Sequence, residues 1–334
     1  MWGWCCYRRG SSISEARKVK EKYESQLRAI PGVIGVGYNG SINVYVEKLT
    51  SEISAFIPSS IDGVRVNIKE TGGKFRLLSL VPVTAIYAGR VGRFRPAPGG
   101  VSVGHPEVTA GTLTCRAKDK VTDEVFGLSN NHIVALDWGE KHIGKKGDPT
   151  LQPGVYDGGK LPDDKIGELE RWEPVRAGEG NLIDAGLFYS DKLSSKIEEI
   201  GEPDQCIEPY VGMKVVKSGR SSGITYGKII DVDATVDVEG YGVCRFVNQV
   251  LIEPAVIIPG DSGSWIGEAD SFRSVAHGFA GSPLISVASR VSEVERILGV
   301  EIIPPLDYLG LGSMMTPFFA GAVIANLGGK RNGY

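Results

Sequence analysis

Pro259-Gly260-Asp261-Ser262-Gly263-Ser264 sets a serine between glycines in a tight turn. Such a turn exposes the seryl oxygen and leaves neighbouring backbone N–H groups free to hold an oxyanion. Gly-Asp-Ser-Gly is also an ordinary turn sequence, so the reading depends on a base elsewhere in the chain. Ser129-Asn130-Asn131-His132-Ile133-Val134-Ala135 offers one, a histidine directly after a β-like run. Asn181-Leu182-Ile183-Asp184-Ala185-Gly186-Leu187 offers a third group, an aspartate inside an otherwise apolar strand pattern. Burying a carboxylate there is costly unless a donor meets it. An imidazole Nδ1–H is such a donor, and the contact fixes the tautomer whose Nε2 accepts a seryl proton.

Around these segments the text reads as short β-like runs separated by turn residues: 109–116, 124–129, 182–189, 214–217, 227–232, 244–250 and 274–279. Their spacing of about 8–12 residues predicts a sandwich or barrel of antiparallel strands. Val287, Val291, Val294, Ile297 and Leu298 share one helical face, with Gly299 as the stop. Upstream, Ile13, Ala16, Val19, Tyr23, Leu27 and Ile30 recur at helical spacing and Pro31-Gly32 ends them. Runs 33–38 and 42–46, joined by Asn39-Gly40, predict a hairpin, and 64–68 predicts a further strand. The run 75–86 is apolar, and 89–100 is rich in Gly, Arg and Pro. A domain boundary is therefore expected near residue 95: a tail over 1–12, a small α+β domain over 13–94, a β domain over 95–300 and an apolar tail over 301–334.

Composition narrows the function. With 37 Lys+Arg against 40 Asp+Glu, the formal net charge of -3 provides no basic field, so no nucleic-acid partner is expected. Cys5, Cys6, Cys115, Cys206 and Cys244 form no Cys-x-x-Cys pair and only 4 histidines are present. No metal and no cofactor is therefore expected. The odd cysteine count argues against a disulfide framework, and the N-terminus lacks a secretory apolar core. A reducing, cytoplasmic setting is expected. Residues 308–329 carry no charge and are long enough to reach across a bilayer, although their glycines and Pro317 dilute the pattern. They point to membrane contact, self-assembly contact or a packed strap, and Cys5-Cys6 beside Trp2 and Trp4 adds a lipidation motif.

The order His132, Asp184, Ser262 is that of chymotrypsin-like proteases rather than of subtilisins or α/β-hydrolases. Residues from about 100 to 299 resemble the trypsin/chymotrypsin clan, nearest its streptogrisin-like branch. The segment from Val215 to Ile229, Val-Val-Lys-Ser-Gly-Arg-Ser-Ser-Gly-Ile-Thr-Tyr-Gly-Lys-Ile, is similar to that branch's Ser-Gly-x-Thr-Thr-Gly…Gly-x-Ile run. Secreted relatives bracket that run with a cystine, whereas this chain has Val216 and Tyr226, as in prokaryotic or viral intracellular relatives with an added N-terminal α+β domain.

The resemblance implies an all-β fold of two six-stranded antiparallel barrels with the site between them. It implies a serine endopeptidase acting on protein or peptide substrates, with Ser262 as nucleophile, His132 as base and Asp184 stabilising the imidazolium. The amides of Gly260 and Ser262 would form the oxyanion hole, worth roughly 3 kcal/mol per donor. Asp261 would turn inward onto a cation, Lys217 or Arg220, giving a site that needs no proteolytic activation. Val256 would lie at the base of the specificity pocket and favour apolar side chains. Gly278, Phe279, Ala280 and Gly281 would line the pocket and pair with the substrate backbone. His277 is read as structural, and His105 and His142 as surface residues. The competing reading is a catalytically silent fold serving assembly in a virion or at a membrane.

Overall fold

The computed structural model describes residues 15–78 and 88–302. The expectations for Cys5-Cys6, for the 308–329 tail and for the apolar run beyond residue 78 lie outside the described residues.

Glu15–Arg28 is an α-helix, and its apolar stripe buries Leu27 against Val36, Ile42, Val44 and Val66. Val33–Tyr38 and Ile42–Val46 form the antiparallel hairpin, with Tyr38 opposite Ile42 and Gly40 at φ +104°. Val64–Glu70 adds a strand parallel to Ile42–Val46. The short helix Ser51–Phe56, capped by Thr50 Oγ1 accepting from Ile53 N at 3.2 Å, is too brief to show a period in sequence.

Most of the remaining chain forms two larger sheets. In one, six strands run in the order Pro149–Leu151, Lys165–Trp172, Gly186–Tyr189, Val125–Ser129, Cys115–Asp119 and Val300–Ile302, every pair antiparallel. In the other, Lys214–Gly219, Gly223–Gly240, Gly242–Glu253, Ser286–Arg290, Arg273–Gly281 and Trp265–Glu268 pair antiparallel in a closed circuit. Val216 and Tyr226 face each other across one of its pairs.

The α+β unit is joined to this second sheet rather than standing as a separate domain. The 18-residue strand Gly223–Gly240 outruns the circuit, and its free edge offers unpaired N–H and C=O groups. Gly35 and Val36 take that edge, pairing with Val236 and Thr235, so the α+β unit continues the same 13-stranded sheet. Side chains reinforce the join. Arg17 Nε meets Asp233 at 2.9 Å, and buried Asp231 accepts from Tyr45 Oη at 2.9 Å and Asn43 Nδ2 at 3.0 Å. Phe75–Leu77 is a strand that leaves the α+β unit altogether and pairs with Gly223–Gly240 and Arg273–Gly281.

Arg90 is buried in the β domain, where Nη1 donates to Ser218 Oγ at 2.7 Å and Nη2 to Glu199 Oε1 at 2.8 Å. The closing helix spans Val291–Leu298 and ends on Gly299 in the left-handed region. Val287 belongs instead to the strand Ser286–Arg290, paired on both edges, because an apolar run satisfies either period until its pairing is known. No helix among the described residues is long and apolar enough to cross a membrane.

Candidate active site

The strand Val125–Ser129 ends in a single helical turn, Asn131–Val134, which carries His132. Asn131 pins this turn: its Nδ2 donates to the carbonyls of Asp137 and Glu173, each at 2.7 Å, and its Oδ1 accepts from Asp137 N at 2.9 Å. Asp184 lies in the link before Gly186–Tyr189 rather than inside a strand, and its carbonyl accepts from Asn130 Nδ2 at 2.7 Å. Its carboxylate holds the histidine twice. Oδ1 accepts the His132 backbone N–H at 3.1 Å, and Oδ2 meets the ring at Nδ1. Both residues are fully buried, and Trp138 packs edge-on against the imidazole at 5.8 Å between ring centroids. His132 Nε2 has no hydrogen-bond partner among the described residues. An imidazole anchored at Nδ1 with Nε2 open is in the tautomer that accepts a proton.

Gly260 and Gly263 flank the seryl turn at φ +89° and +94°. A Cβ on Gly263 would lie 2.1 Å from the Thr112 carbonyl, so only glycine fits. Asp261 turns inward and accepts from the amides of Ser221 at 2.8 Å, Ser222 at 3.1 Å and Ile258 at 3.2 Å, and from Lys217 Nζ at 3.0 Å. Burial pulls the Lys217 ammonium below the usual lysine range, opposed by the Asp261 charge. Of the two cations considered from sequence, Lys217 is the one on Asp261, while Arg220 Nε donates to Asp157 at 2.8 Å. Neither is a solvated turn charge; both are buried.

The turn is tied to the histidine side of the cleft. Ser262 O accepts from Thr112 N at 2.7 Å, and Thr112 O accepts from Ser129 Oγ at 2.8 Å. Ser262 Oγ itself donates to Phe279 O at 3.2 Å, not to His132 Nε2.

Gly278, Phe279, Ala280 and Gly281 lie on Arg273–Gly281, whose Gly278 carbonyl accepts from Gly263 N at 2.9 Å. Val256 is buried beside Ile257 and Val275 in an apolar cluster, and a Cβ on Gly278 would approach Ile257 Cδ1 to 2.5 Å. The Gly260 amide, one of the two proposed oxyanion donors, is already in use: it donates to the Leu78 carbonyl at 3.1 Å.

Sequence reading missed a buried polar layer beneath this site. His277 Nε2 lies 3.0 Å from Thr114 Oγ1 and 3.4 Å from Asn130 Nδ2, and Thr114 Oγ1 donates to Gly263 O at 2.6 Å. The Asn in Ser129-Asn130-Asn131 was the available signal, since a polar side chain next to a buried histidine needs a partner. Burial lowers the His277 pKa to about 4, with Asp184 opposing and His132 reinforcing. An unfolded histidine binds its proton near pH 6.5, so across that window the unfolded chain carries more protons and stability falls as pH falls. Between pH 7 and pH 5 the expected loss from this group is about 2 kcal/mol, read as a drop in the urea midpoint. His277→Gln is expected to flatten that drop; an unchanged pH dependence in the variant contradicts the assignment. His105, expected at the surface, is buried, its Nδ1 accepting from Glu107 N at 3.1 Å. His142 is exposed and meets Asp137 Oδ1 at 2.7 Å. Among the described residues no three His, Cys, Asp or Glu side chains converge as metal ligands.

No family model and no curated protein matches the sequence. The solved structures similar to this chain are serine proteases of the trypsin/chymotrypsin type. A chymotrypsin from Cellulomonas bogoriensis aligns at 13% identity over 62% of this chain and 98% of its own, with a TM-score of 0.43. Protease A from Thermobifida fusca gives 13%, 62%, 98% and 0.43. A glutamic acid specific serine protease gives 17%, 62%, 100% and 0.44.

Proposed function

We propose that this chain is a serine endopeptidase, built on two β-barrels and cutting peptide bonds through an acyl-enzyme on Ser262. The observation that carries the reading is the fully buried Asp184 carboxylate, which grips His132 through both backbone and ring and leaves Nε2 without a partner. Ser262 Oγ attacks the acyl carbon, its proton passes to His132 Nε2, and Asp184 stabilises the imidazolium. The same proton then goes to the departing amine. Gly260 and Ser262 amides receive the oxyanion, while Lys217 holds Asp261 inward and so fixes the direction of those amides. This arrangement requires no new chain terminus.

The substrate is a protein or peptide whose backbone lies along Gly278–Gly281, with an apolar side chain toward Val256. Because the Leu78 carbonyl occupies the Gly260 amide, the test uses full-length chains with the native sequence and with Leu78→Asp. A fluorophosphonate probe is expected to form an adduct on Ser262, mapped by peptide mass spectrometry and abolished by Ser262→Ala. Absence of the adduct from both chains would turn the reading to the silent assembly module.

A further inference from the structure

Leu78 sits where a substrate belongs. The strand Phe75–Leu77 runs antiparallel to Arg273–Gly281, with Leu77 opposite Ala280 and Arg76 opposite Gly281. That register sets Leu78 beside Phe279, whose carbonyl accepts the Ser262 hydroxyl, and the Leu78 carbonyl accepts from the Gly260 amide at 3.1 Å. An amide aimed at a carbonyl oxygen at this point is the contact an oxyanion hole makes with the bond to be cut. The Leu78 side chain packs on the apolar cluster that contains Val256 and Ile257, at one side of a cavity of about 760 Å³ bounded also by Ala255, Ile258, Gly281 and Ser282. The residues before it alternate as an added strand should. Phe75 and Leu77 are buried among Phe279, Ala280 and Val238, whereas Arg76 turns out to Glu239 at 3.2 Å.

We propose that Phe75–Leu78 is the chain's own substrate, held with Leu78 in the primary pocket, and that Ser262 cleaves the peptide bond following Leu78. This deepens the endopeptidase reading and rests on it. In the step, Ser262 Oγ bonds to the Leu78 carbonyl carbon as the bond to the next residue's nitrogen breaks, and the seryl proton travels through His132 Nε2 to that nitrogen. Water then attacks the ester, returns a proton to Ser262 Oγ through His132, and leaves Leu78 with a free carboxylate. A preference for leucine follows from the occupant, whose side chain packs on the branched aliphatic cluster of Val256 and Ile257. The amide turn is preformed through Lys217, yet the cleft is filled, so external substrates meet a site already engaged by the chain.

The test compares three full-length chains, native, Ser262→Ala and Leu78→Asp, by intact mass and by rate of fluorophosphonate labelling. Aspartate would set a carboxylate against Val256 and Ile257, a burial without a partner. The native chain is expected to become two fragments, the smaller ending at Leu78. Ser262→Ala is expected to stay whole. Leu78→Asp is expected to cut itself at least about a hundredfold more slowly while its Ser262 labels about tenfold faster than that of the native chain. A native chain that stays whole while Leu78→Asp labels no faster overturns this inference and leaves the endopeptidase reading standing. Cleavage at another bond, or equal cleavage of Ser262→Ala, overturns it too. Labelling of neither native nor Leu78→Asp chain overturns both readings.

Discussion

Replacing Asp184 by asparagine is expected to slow acylation of Ser262 by about ten-thousandfold. The carboxylate accepts from both the backbone N–H and Nδ1 of His132, so it selects the tautomer in which Nε2 is bare. An asparagine amide can donate to Nδ1 instead, which drives the proton to Nε2 and removes the base. The side chain is nearly the same size and stays fully buried, so the fold should survive. The measurement is the labelling rate of Asp184→Asn against the native chain in the Leu78→Asp background, with the thermal midpoint as control. A rate within tenfold of the parent, in a variant that melts normally, would remove Asp184 from the mechanism.

Lys217→Met is expected to cost about 3–5 kcal/mol of stability, the usual consequence of leaving one buried charge without its partner. Lys217 Nζ reaches Asp261 Oδ2 at 3.0 Å with both side chains inaccessible to solvent, and it also donates to the Gly223 carbonyl at 3.1 Å. Without the cation, Asp261 retains the amides of Ser221, Ser222 and Ile258 but carries uncompensated charge. The turn relaxes, and the Gly260 and Ser262 amides lose their aim. Urea unfolding and labelling are therefore expected to fall together. A stable variant with native labelling would show that the amide cluster alone holds Asp261.

The parts of this molecule legible in sequence are those where one segment carries its own signal. Ala16, Val19, Tyr23 and Leu27 declare the helix, and Asn39-Gly40 declares the hairpin. Among site residues, a histidine beside Asn130-Asn131 and an aspartate within an apolar run are noticed because burying them needs a partner. What stayed hidden depends on pairing between distant segments. The run beginning at Phe75 reads only as apolar, and nothing in its residues says that it pairs with Ala280 and Gly281. The 227–232 run gave no hint that Gly223–Gly240 extends far enough to receive Val36. His277 reads as structural, but its partners Thr114 and Asn130 lie far from it in the chain, so the contact itself could not be read. The seryl hydroxyl turned toward Phe279 is a rotamer, which sequence does not specify.

The central claim is that His132, Asp184 and Ser262 act on one carbonyl held by the Gly260 amide. The most direct measurement is a crystal structure of the full-length Leu78→Asp chain with a peptide boronic acid bearing a leucine side chain at boron. The account requires a tetrahedral boron bonded to Ser262 Oγ, with one boron-bound oxygen about 2.7–3.1 Å from the Gly260 and Ser262 amides and His132 Nε2 within hydrogen-bond reach of another. A boronate bound away from Ser262, or bonded to it with both amides turned aside, would contradict it.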